Sequence, residues 1–102
     1  MNIRNAPNAL TLVEMSSDFT GIVSCSTNGT PVPLPSVVNE GGFYLKAHPD
    51  NADTIWIFFT GQTKASGFPL NAGDIMFVPV NQLSQISFDA EVDAEDICYI
   101  KA

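Results

Sequence analysis

The sequence predicts an all-β domain, an antiparallel β-sandwich or jelly-roll-like barrel of about seven short strands, on three observations. Apolar residues recur at every second position along most of the chain, the spacing that places them on one face of a strand. Turn-forming residues interrupt that alternation every ten positions or so, roughly the spacing of strands in sandwiches and barrels. No stretch carries the wider period of an amphipathic helix.

The strands expected from this pattern are residues 9–15, 21–25, 43–48, 54–60, 74–80, 85–89 and 96–101. Asn28-Gly29 follows the second and supplies the positive φ of a tight turn. Pro31, Pro33 and Pro35 remove ladder donors from residues 30–42, so this stretch should run extended along an edge or outside the fold. Either this stretch or residues 1–8 is the candidate contact arm. In 43–48, Phe43, Leu45 and Ala47 alternate with Tyr44, Lys46 and His48, as on a strand with one wet face. Pro49-Asp50-Asn51 and Asn71-Ala72-Gly73 are turns whose side chains bond the local backbone.

Residues 54–60 break the alternation. Ile55-Trp56-Ile57-Phe58-Phe59 is apolar on both faces, and Met76 and Val78 opposite Ile75 and Phe77 repeat the anomaly. Both faces then need cover, from a central position in the sheet or from a neighbouring subunit, because large exposed apolar patches are rare on monomers. Trp56, Phe58, Met76 and Val78 are therefore the candidate protein-interface residues.

A chain of 102 residues with 45% hydrophobic content supports one core, so residues 1–102 form a single domain. Four Lys and Arg against 11 Asp and Glu give a net charge of -7, and the cations Arg4, Lys46, Lys64 and Lys101 are scattered. Nucleic acid and anionic membranes would repel such a surface. No apolar run approaches the length of a membrane span, and the start lacks a signal-peptide pattern, which points to synthesis in the cytoplasm. There Cys25 and Cys98 would remain thiols, read as two buried small hydrophobes.

The chemistry-bearing residues do not assemble into a catalytic pattern. His48 has no nucleophile or paired carboxylate placed beside it, and one His with two distant Cys is too few for zinc. The acidic run 89–96 fails the calcium-loop pattern, with Ala94 where the sharp turn needs Gly and Ile100 where a bidentate Glu should stand, so it reads as a solvated loop. Asn28-Gly29-Thr30 matches a glycosylation acceptor but reads as a turn. No catalytic, metal or cofactor residue is assigned.

The eleven residues from Pro69 through Asn71-Ala72-Gly73-Asp74 to Pro79 resemble the turn-and-strand element of cupin barrels; with His48 as the single histidine, the resemblance implies a metal-free barrel. A longer resemblance runs from Gly42-Phe43-Tyr44-Leu45-Lys46-Ala47 through Ser66-Gly67-Phe68-Pro69-Leu70 and Met76-Phe77-Val78-Pro79-Val80-Asn81-Gln82 to Cys98-Tyr99-Ile100. In that order it is similar to small β-domain virion proteins of tailed bacteriophages, over roughly the last sixty residues. The resemblance implies a non-enzymatic head decoration or cement protein on the capsid surface. Its partner would be the major capsid protein or another virion protein, and it would act as a homo-oligomer, with a trimer the implied form.

Two other functions fit the same pattern. One is a small-molecule-binding barrel whose pocket is lined by Trp56, Phe58, Phe77 and Tyr99. The other is a tail or host-recognition domain in which Trp56 or Tyr44 stacks on sugar rings. A closed pocket with converging polar groups would favour the barrel, and a filled core with a flat apolar face would favour an interaction protein.

Overall fold

The computed structural model describes residues 20–102. The expected strand 9–15 and the arm 1–8 lie outside the described residues. Among the described residues there are eight strands: β1 Thr20–Cys25, β2 Val32–Pro33, β3 Phe43–Ala47, β4 Ile55–Phe59, β5 Phe68–Leu70, β6 Ile75–Val78, β7 Ile86–Ala90 and β8 Glu95–Lys101. Two 3₁₀ turns, Lys64–Ser66 and Leu83–Gln85, sit between them.

The strands form two four-stranded sheets, β1-β8-β3-β6 and β2-β7-β4-β5, and every pairing is antiparallel. First pairs with last, second with seventh, third with sixth and fourth with fifth, so the chain follows one long hairpin folded over on itself. That order is a jelly roll. The fold class expected from the sequence is the one observed, with two strands beyond it, β2 and β5. Both are short and contain proline, Pro33 and Pro69, and both lie at sheet edges, where a missing N–H leaves no ladder bond unmade. For β2 this agrees with the extended edge path expected of residues 30–42; β5 is not among the expected strands.

Alternation decides what each strand buries. Phe43, Leu45 and Ala47 of β3, Ile97 and Tyr99 of β8, Ile55 and Ile57 of β4, and Phe88 and Ala90 of β7 meet between the sheets. Gly21 lies opposite Tyr99, and a Cβ there would come within 2.6 Å of the Tyr99 hydroxyl, so the absent side chain is what lets the ring lie across β1.

The proline-rich stretch is part of this core rather than a free arm. Leu34 and Val37 are buried, the Leu34 N–H donates to the Ile86 carbonyl, and the Leu83 N–H donates to the Val37 carbonyl. Residues 30–42 do run along an edge, as β2, but their intervening apolar side chains point inward. The contact-arm reading of 30–42 is corrected on that ground.

The strand directions sort the loops into two ends. At one end lie the turns around Asn28, Asp50, Ala72 and Asp93; at the other lie 34–42, 60–67 and 79–85, together with the start of β1. Among the described acidic residues, Asp50, Asp53, Asp74, Asp89, Glu91, Asp93, Glu95 and Asp96 belong to the first end, and Glu40 to the second.

Candidate interaction surface

The outer face of the β1-β8-β3-β6 sheet is built by the positions that alternate with the core. Register places Thr20, Ile100, Tyr44 and Phe77 side by side in one row across the four strands. The next row is Ile22, Cys98, Lys46 and Ile75. Two full rows thus carry one charge between them, and Ile22 is 62% exposed, Ile75 61%, Tyr44 46%, Phe77 45% and Ile100 41%. Tyr44 and Phe77 make a tilted cross-strand ring pair at 5.3 Å, which fixes the flank of the patch toward β6. Gly42, at φ +83°, leaves room for the Phe77 ring: a Cβ there would sit 2.8 Å from its tip.

Below this face the sandwich opens between β5 and β6, one edge strand from each sheet. A cleft of about 480 Å³ runs there, lined mainly by Phe58, Phe59, Phe68, Met76, Val78 and Val80, with Gln62 and Ser66 as its polar side chains. Phe59 and Phe68 are exposed at its mouth, 61% and 63%, although both belong to strands whose neighbouring residues enter the core. The jelly roll is filled in its middle and unfilled along this side.

The four interface residues expected from the sequence fall elsewhere. Val78 is buried in the core and Met76 packs against it, because on β6 the even-numbered residues face inward and Ile75 and Phe77 face out. Phe58 is buried on the opposite side of β4 from the inter-sheet core. Trp56 is half-buried, its indole N–H donating to a Glu91 carboxylate oxygen at 2.7 Å. The 60–67 loop folds back over β4, with Lys64 donating to the Ala90 carbonyl and Gly67 lying against Trp56. The outer face of the doubly apolar strand, at Trp56 and Phe58, is thus covered within the chain, and the candidate interface moves to Ile22, Tyr44, Ile75, Phe77 and Ile100. The signal that could have found it was the Ile75/Phe77 half of β6 read together with Ile22 and Ile100.

No family model matches the chain, and no curated protein does. One solved structure is similar. It is a chain of the Bacillus endospore appendages, which form a novel family of disulfide-linked pili; it shares 12% identity, the match covers 81% of this chain and 86% of that one, and the TM-score is 0.45. So distant a likeness transfers no role.

The remaining chemistry-bearing residues serve turns and strand ends. His48 Nδ1 accepts the Asp50 backbone N–H at 3.1 Å. Buried Asp89 accepts the Gly29 and Ala90 N–H groups, and buried Glu95 accepts those of Ala52 and Asp53. Ala94 takes φ +63°, so the 91–94 turn does require a left-handed residue, here without a glycine. Among the described residues no group of three or more His, Cys, Asp or Glu is placed to hold a metal ion, and no helix is long and apolar enough to cross a membrane.

The two cysteines point to opposite sides. Cys25 is in the core, and Cys98 is half-buried on the outer face between Ile22 and Lys46. Burial, reinforced by the Asp89 carboxylate, pushes the Cys25 thiol up. Burial also raises Cys98, with Asp96 adding to it and Lys46 opposing it. What this assembly of groups offers is a flat apolar surface and an apolar cleft, both suited to protein contact.

Proposed function

We propose that this protein is non-enzymatic and structural, binding other protein surfaces through the outer face of the β1-β8-β3-β6 sheet. The form we propose is the one implied by the sequence resemblance: a homo-oligomeric decoration or cement protein on a phage capsid. One observation carries the reading, the two adjacent rows in which Ile22, Ile75, Tyr44, Phe77 and Ile100 stay exposed around a single charge. An apolar patch of this kind on a molecule of net charge -7 is where another protein can approach with least repulsion and most surface to dehydrate. The exposed apolar face, and a cleft that is open and carries only Gln62 and Ser66 as polar side chains rather than a converging polar set, favour this reading over the small-molecule barrel. Of the side chains expected to line such a pocket, Phe58 and Phe77 border the cleft, while Trp56 and Tyr99 do not.

The test is binding of the purified protein to empty capsids of the phage that encodes it, followed by sedimentation with the shells. Saturation at a fixed ratio is expected, with protection of the Cys98 thiol from alkylation in the bound state. Ile75→Asp, a surface change that leaves the core intact, should weaken binding tenfold or more. Shells that bind nothing, or that bind Ile75→Asp as well as the parent, would remove the proposal.

A further inference from the structure

We infer that the cleft between β5 and β6 is the docking site for the apolar run 9–15 of the same chain. Its mouth is aromatic, and Gln62 and Ser66 are the polar side chains in its lining, so its occupant has to be an apolar segment with little need for side-chain hydrogen bonds. Residues 9–15 carry Ala9, Leu10, Leu12, Val13 and Met15 around a single charge, Glu14.

Position and length agree. The chain enters β1 at Thr20, in the same row as Phe77, which borders the cleft, and at the end of the sandwich opposite the acidic turns. Three strand spacings separate Thr20 from Phe77, about 14 Å. The five residues 15–19 span roughly 17 Å when extended, enough to carry Met15 across the end of the sheet and deliver the run 9–15 to the cleft. So short a tether gives a local concentration on the order of millimolar, which favours the chain's own segment over one from another copy. Running toward Thr20, the segment would lie antiparallel to β5, which heads for the acidic end.

Nuclear Overhauser contacts in an equal mixture of isotopically labelled and unlabelled full-length protein decide the matter. Contacts within one chain are expected from the methyls of Leu10, Leu12, Val13 or Met15 to Phe59, Phe68, Met76 or Val78. Leu10→Asp with Leu12→Asp should abolish them and raise binding of the apolar dye anilinonaphthalene sulfonate several-fold while the Phe88 resonances stay in place. Contacts seen between labelled and unlabelled chains alone would assign the cleft to a second copy and overturn the inference. Methyls of 9–15 at random-coil shifts would overturn it as well. The result is independent of capsid binding, which uses the outer face.

Discussion

Asp93 shows how a single side chain can hold a turn. Its Oδ1 accepts the Asn28 backbone N–H at 2.9 Å and the Asn28 side-chain amide at 2.7 Å, tying the 91–94 turn to the turn after β1. These bonds, the backbone one foremost, hold the carboxyl below its ordinary value, although the group is open to solvent. A carboxylate with a lowered folded pKa stabilises the fold above its unfolded value, about 3.9, and that contribution disappears as pH falls through the lower folded value. Asp93→Asn keeps an acceptor oxygen but cannot titrate. The urea midpoint of the variant should therefore fall less between pH 5 and pH 2.5 than that of the parent, and an equal fall would show that the Asn28 bonds contribute nothing in solution.

At the scale of elements, the lesson lies in which strands the alternation could reveal. β3 was legible because its inner Phe43, Leu45 and Ala47 differ in character from its outer Tyr44 and Lys46. β2 and β5 were not, since Pro33 and Pro69 carry the signal of a loop and an edge strand alike. The interface was misassigned because β4 and β6 are apolar at every position: with no polar residue to mark the wet face, only register with Tyr44 and Lys46 shows that Ile75 and Phe77 point outward. The proline-rich stretch gives this a measurable form. Leu34 is almost wholly buried, so Leu34→Ala should cost about 2–5 kcal/mol in urea unfolding. Val38, four residues on and 61% exposed, should tolerate the same change within about 0.5 kcal/mol. Equal, small effects at both positions would mean that 30–42 is a detachable arm after all.

At the scale of the whole molecule, the charge of the described residues is lopsided, and this sets how copies can meet. The acids of the turns around Asp50, Asp74 and Asp93 crowd one end, while the outer face of the first sheet carries Lys46 within its two apolar rows and Asp96 beyond them. Copies that associate through that face bring like-charged bodies together without pairing their charges, so repulsion acts against the contact over a distance that salt shortens from about 30 Å at 0.01 M to about 8 Å at 0.15 M. Apolar burial in the same contact is not weakened over that range. Self-association measured by sedimentation equilibrium should therefore tighten as salt is raised between those two concentrations, and Ile22→Asp or Phe77→Asp should abolish it at both. Contact made through the acidic end with cations of a neighbour, such as Arg4 or Lys101, would be screened instead, and the dissociation constant would rise with salt. The sign of that slope alone separates an apolar sheet contact from an ionic end-to-end one, whatever the order of the oligomer.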